Sequence, residues 1–319
     1  MSADQPAIPL LIDTDVALGI EHEGRPRDID DGFAMVEAIN CPDLELLGVT
    51  TVYGNAPHLD VHRVANDILE LKQATVPLAP GATEPLPQQG PLPPPNEAVE
   101  FLAETLRARP AHLVAIGPLT NIALLAHHHP DVLDRVLSII AVAGRSEDAA
   151  FYLGETGPVR DFNFENDVRA AQMVLEAGVP VVLAGFELTS QVSVTEHDLQ
   201  AIRRSGTATA EYFYGNSLAW CRYWTRTFPV DGGFHPWDSA AIAWLRHPEY
   251  FVTQPRGWRI RQAPVEEAAE TRAGRNAKPG SSFWLECDPA YPGSSVTYCS
   301  GFAPGGKEAF VRDVVTTVY

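Results

Sequence analysis

Asp13 and Asp15 close the stretch Leu10-Leu11-Ile12-Asp13-Thr14-Asp15, and Asp30 and Asp31 stand in Asp28-Ile29-Asp30-Asp31-Gly32-Phe33-Ala34-Met35. Brought to one place, these four carboxylates would repel one another unless a cation neutralised them. All-oxygen donors of this kind suit a hard ion, calcium or magnesium. Any one of them taken alone reads more simply, Asp30 as a helix N-cap and Asp13 as a turn former. As a set, confined to one strand and the helix that follows it, they point to a metal site.

The elements around them say where such a site would sit. Three apolar residues running into Asp13 read as a short buried strand. Its carboxylates then fall at the carboxyl edge of a sheet, where open α/β folds keep their ligands. Asp30 and Asp31 open a helix whose Phe33, Met35, Val36 and Ile39 can face a core. Beyond it the chain alternates. Strands are expected over 44–53, 112–117, 138–144 and 179–185, with helices over 57–73, 96–107 (capped by Asn96), from Pro118 onward and over 167–177. Units of this kind imply an α/β fold: an open, mainly parallel, Rossmann-like sheet with helices on both faces. The latter third reads as mostly helical over 187–228, with a helix over 235–245 and a C-terminal helix over 307–318. Extended segments are expected between 258 and 297, around an exposed loop over 271–282. The passage from Pro77 to Pro95 is too rich in proline for regular structure and is expected to be a surface loop near the site.

The chain has 319 residues, 45% of them hydrophobic, which is enough for a large core. No repeat or linker marks a boundary, so one domain over 1–319 is expected. With 23 basic against 41 acidic residues and a formal net charge of -18, a nucleic-acid partner is not expected. No basic-apolar leader or long apolar run is present, so no membrane partner is expected either. Cys41, Cys221, Cys287 and Cys299 have no ligand-like spacing and read as free thiols, so the expected setting is the reducing cytoplasm.

Six short stretches, in order, resemble the inosine-uridine-preferring nucleoside hydrolases. They are Asp13-Thr14-Asp15 with Asp30-Asp31; Thr50-Thr51-Val52-Tyr53-Gly54-Asn55; Gly117-Pro118-Leu119-Thr120-Asn121; Asp161-Phe162-Asn163; Glu187-Leu188-Thr189; and Trp237-Asp238. The resemblance covers most of the chain and implies hydrolysis of the N-glycosidic bond of ribonucleosides with a bound Ca2+ ion. Carried over by residue, it makes Asp15 a calcium ligand and the base that takes a proton from the attacking water. Asp31, Asp238 and the backbone carbonyl of Ile116 would complete the metal set. Asp30 would hold the ribose 2′-hydroxyl, with Asn55, Asp161 and Asn163 as further sugar contacts. The family tendency is a homodimer or homotetramer.

Four departures from the family pattern stand out. Val16 to Ile29 intervene where a very short turn is usual. Glu155, carried over as a substrate contact, stands where many members have an amide, and Asp161 is shorter than the usual glutamate. Trp237 occupies the place of a histidine that helps the base depart. A tryptophan there resembles the purine-specific branch, in which an indole stacks on the base and makes the purine easier to protonate as it leaves. The same residue reads equally well as core packing at the start of a helix, and His235 is the nearest alternative acid. Two rival functions follow from the same residues. Asp13-Thr14-Asp15 is also similar to the nucleophile strand of haloacid dehalogenase-like phosphatases, and the departures suggest a nucleoside-binding homologue without turnover.

Overall fold

The computed structural model describes residues 6–149, 160–263 and 283–318. Among them, ten strands form one sheet in the spatial order Leu78–Pro80, Leu44–Thr51, Ile8–Thr14, Ala111–Ala115, Val136–Val142, Val181–Ala184, Ser295–Phe302, Phe251–Gln262, Phe283–Asp288 and Arg145–Ser146. Neighbours run parallel from the first of these to Ser295–Phe302; Phe251–Gln262 then pairs antiparallel on both sides. The expected mainly parallel α/β sheet is therefore present.

Along the central strands, alternate residues feed different cores. Leu10, Ile12 and Val114 pack with the helices Asp30–Asn40, His58–Leu71, Ala208–Thr227 and Ser239–Arg246. Leu11, Leu113 and Ala115 pack with the helices Glu97–Ala108, Thr120–His128 and Val168–Glu176 on the opposite face. A two-residue side-chain period buried on both sides explains why these strands are continuous apolar runs.

From Ile8–Thr14 the chain first builds outward to Leu44–Thr51 and Leu78–Pro80, then crosses back to Ala111–Ala115 on the other side. The order reverses between Ile8–Thr14 and Ala111–Ala115, and such a switch point leaves a crevice at the strands' carboxyl ends. Asp13, Asp15 and Ile116 all lie there.

Two expectations change, and the inserted segment gains a structure. Leu78–Pro80 is a strand despite its proline, because it sits at the sheet edge, where a missing N–H costs no ladder bond. The helix expected from His235 begins at Ser239; Gly233–Phe234 pairs instead with Val194–Thr195, and Asp238 takes the N-cap position. The segment between Asp15 and Asp30 is not irregular: Glu21–His22 and Arg25–Pro26 form an antiparallel hairpin closed by Arg27 N–H donating to the Ile20 carbonyl. The loop expected over 271–282 lies outside the described residues.

Candidate active site

The first strand ends at Thr14, and that ending separates its two aspartates. Asp13, still inside the strand, is held by Thr50 Oγ1 at 2.6 Å and Asn121 Nδ2 at 2.8 Å. Asp15 lies one residue past the end and turns toward the helix Asp30–Asn40. Its Oδ2 accepts the Asn55 N–H at 2.7 Å; its buried Oδ1 has no hydrogen-bond partner among the described residues. Thr14 Oγ1 accepts the Val16 N–H and donates to Asp31 Oδ1 at 2.5 Å, tying strand to helix.

Asp30 and Asp31 occupy the first turn of their helix, where the dipole favours negative charge. Asp238 reaches them from across the fold, its N–H donating to Asp30 Oδ2 at 3.0 Å. One oxygen from each of Asp30, Asp31 and Asp238 lies within 4.8 Å of the others, and all three residues are buried. Burial is the first cause of a raised pKa at each, and pushes Asp31 to about 7 with help from the Asp30 charge. Asp15 is raised too, by burial and then by the charges of Asp31 and Asp30. Carboxylates this crowded must hold protons or share a cation, and Asp31 Oδ2 joins Asp15 Oδ1 as a buried oxygen with no partner among the described residues. The donor set fits one hard ion.

Asp28 is a fifth carboxylate of this group, one to which the sequence motifs assign no role. It is half-buried, hydrogen-bonds to Asp30, and is raised first by burial and then by the Asp30 charge. The Asp28-x-Asp30 spacing at the return of the hairpin was the available signal.

The other expected site residues divide. Asn163 Nδ2 donates to the Ile116 carbonyl at 3.0 Å, so an expected sugar contact and an expected metal ligand touch. Asn55 holds Asp15 through its backbone N–H, and its side chain stays half-buried. Asp161 is buried and accepts the Gly144 N–H at 2.8 Å; burial pushes its pKa to about 7 against the pull of Arg145. Glu155 lies outside the described residues. Glu187 joins strands, accepting the Ser146 N–H and the Tyr298 hydroxyl. Asn121 serves the loops, accepting from the Ala82 N–H and donating to the Thr51 carbonyl.

Trp237 is half-buried beside Asp238, in contact with Trp224 and His235. His235 cannot be the acid expected in its place, because it is 2% exposed and both ring nitrogens face protein oxygens. Asp13, the nucleophile the phosphatase alternative would need, is buried and held through Oδ1 by Thr50 and Asn121, with Oδ2 without a partner among the described residues.

Residues 10–289 match the family described as inosine-uridine preferring nucleoside hydrolase. A curated relative, the pyrimidine-specific ribonucleoside hydrolase RihA of Salmonella typhimurium, is 32% identical over 283 residues, spanning 78% of this chain and 83% of that protein. The fold is similar to the plant nucleoside hydrolase PpNRh1, with TM-score 0.78, 20% identity and coverage of 98% and 99% of the two chains. It is also similar to a purine-preferring ribonucleoside hydrolase from Gardnerella vaginalis, with TM-score 0.76, 20% identity and coverage of 97% and 98%.

Proposed function

The chain belongs to the inosine-uridine preferring nucleoside hydrolase family, and from that premise we propose a calcium-dependent ribonucleoside hydrolase that releases ribose and free base and favours purines. The observation that carries the proposal is the buried group of Asp30, Asp31 and Asp238, with Asp15 Oδ1, which has no partner among the described residues, beside the same helix. Asp31, Asp238 and the Ile116 carbonyl would hold the ion with Asp15, and the Asp30 oxygen within 4.8 Å of Asp31 and Asp238 supports a place for Asp30 beside the ion's water shell. When bound, calcium lowers the pKa of the attacking water so that a nucleophile forms near neutral pH.

The chain's own residues do the rest. Asn55 ties down one Asp15 oxygen, leaving the other to take the proton. Asn163 aims the Ile116 carbonyl from a segment that also brings Asp161. Asp30, whose Oδ2 accepts the Asp238 N–H, would take a ribose hydroxyl. Buried negative charge around the sugar favours the positive charge that grows on the ring as the base departs. The purine preference rests on Trp237, whose half-exposed indole offers more overlap to a purine than to a pyrimidine. Four free, buried cysteines support a reducing, cytoplasmic setting.

The test is a reducing-sugar assay across inosine, adenosine, guanosine, uridine and cytidine, with and without a chelator. Ribose should be released from purines fastest, and the chelator should stop it until calcium is restored. Binding without ribose release would make the protein a nucleoside-binding homologue. A preference for uridine or cytidine over every purine, as the name of RihA describes for that enzyme, would overturn the role of Trp237 and leave the hydrolase.

A further inference from the structure

We propose that His235 is a positioning residue for the leaving base, and that Asp231 is the anchor that lets it act. The proposal rests on the reading of Trp237 as the residue that stacks on the base. Trp237 lies in the non-helical segment ahead of Ser239–Arg246, so no helix backbone sets its ring. Its buried indole N–H finds no hydrogen-bond partner among the described residues either. What orients the ring is aromatic contact: His235 lies at 5.3 Å between centroids with the planes 30° apart, and Trp224 meets it at 5.2 Å and 80°.

Both of those rings are set by one carboxylate oxygen. Asp231 Oδ2 accepts the Trp224 Nε1–H at 3.2 Å and lies 3.2 Å from His235 Nε2. His235 Nδ1 is 2.5 Å from the Val192 carbonyl. Both ring nitrogens thus face protein oxygens, and the ring is clamped at both ends. Asp231 is held in turn, its N–H donating to the Phe228 carbonyl and its own carbonyl accepting from Ser193 Oγ. A purely packing role would be met by apolar side chains at lower desolvation cost. A polar clamp inside an aromatic cluster instead selects one arrangement of the rings, and stacking depends steeply on the angle and offset of the two planes.

The test compares inosine, whose base must leave, with p-nitrophenyl riboside, whose leaving group departs without protonation. Asp231→Asn keeps the shape of the anchor; His235→Phe keeps an aromatic plane and removes both hydrogen bonds. Each should lower kcat for inosine at least about tenfold more than for p-nitrophenyl riboside, a loss of the size one misaligned contact produces. In a Trp237→Ala background neither should lower the inosine rate further, because each acts through that indole. Equal losses on both substrates, or an undiminished effect in the Trp237→Ala background, would leave His235 as fold packing only. If Trp237→Ala alone lowers both substrates equally, the stacking reading fails and this proposal falls with it. If Trp237→Ala is selective and the other two variants are not, only this proposal falls.

Discussion

Asp15 is asked to do two things with two oxygens, and the structure gives each a different environment. Its Oδ2 is pinned by the Asn55 N–H, while Oδ1 is buried without a partner among the described residues. Asp15→Ala removes base and ligand together, so kcat should fall by about 10²- to 10⁴-fold, with calcium binding weakened in the same titration. Activity within a few-fold of wild type would remove Asp15 from the mechanism. Asp238→Asn keeps the shape of a ligand and loses its charge; excess calcium should partly restore its rate. A less obvious residue is Gly54. A Cβ there would fall 1.8 Å from Asp15 Oδ2, in a turn that the Asn55 N–H fixes. Gly54→Ala should therefore cost activity by displacing that carboxylate, with the far-ultraviolet circular dichroism spectrum unchanged. Unaltered kinetics would mean that the turn can move aside.

At the scale of elements, the hairpin between Asp15 and Asp30 ties the site to the rest of the fold. Its root is buried: Val16, Ala17 and Leu18 lie in the same core as Phe33 and Phe213, and Leu18 covers Gly32 in the first turn of the helix that carries Asp30 and Asp31. Its first turn meets the aromatic helix Ala208–Thr227, where a Cβ on Gly19 would collide with the Asn216 side chain at 2.3 Å. The hairpin thus links the carboxylate group to the helix that supplies Trp224. We propose that it overhangs the site and contacts the substrate. Replacing residues 20–26 by a short turn, with the buried root kept, should raise KM or alter the order of nucleoside preference. A stable trimmed variant with the parent's profile would make the hairpin an inert excursion.

For the whole molecule, the buried carboxylates tie stability to both pH and metal. Burial raises Asp13 and Asp31 to about 7, against 3.8 for an ordinary aspartate. Between those values the folded chain without metal holds protons that the unfolded chain has released, so its stability falls as pH rises from about 4 toward 7. A cation bound by Asp31 and its neighbours would replace the protons on those site carboxylates, though not the one on Asp13, and its binding would be correspondingly weaker at low pH. Thermal unfolding across this range should show Tm falling with pH in the presence of a chelator. The increase in Tm produced by calcium should grow over the same interval. An increase that stays constant or shrinks with pH would show that these carboxylates do not hold the ion. The formal net charge of -18 acts in the same direction, since self-repulsion grows as more carboxylates ionise.

Much of this was written locally in the chain. Leu10-Leu11-Ile12 ahead of Asp13 and the repeated strand-helix units determined a mainly parallel sheet with carboxylates at its carboxyl edge, because apolar runs and turn residues act on their own neighbourhoods. Asn96 capping Glu97–Ala108 was legible for the same reason, whereas Asp167, read as the first residue of its helix, is its cap. What only the tertiary structure decided is the direction of each side chain. Asp13 and Asp15 are two residues apart and look alike in the sequence; Thr50 and Asn121, brought from distant elements, claim the first and leave the second to the site. Asp28 joined the group because the hairpin returns the chain to its starting point, and Leu78–Pro80 became a strand because it reached an edge. Asp231, His235 and Trp224 gained meaning only when the fold set them around Trp237. Spacing along a chain carries the period of one element, while the partner that fixes a buried polar atom comes from wherever the topology delivers it.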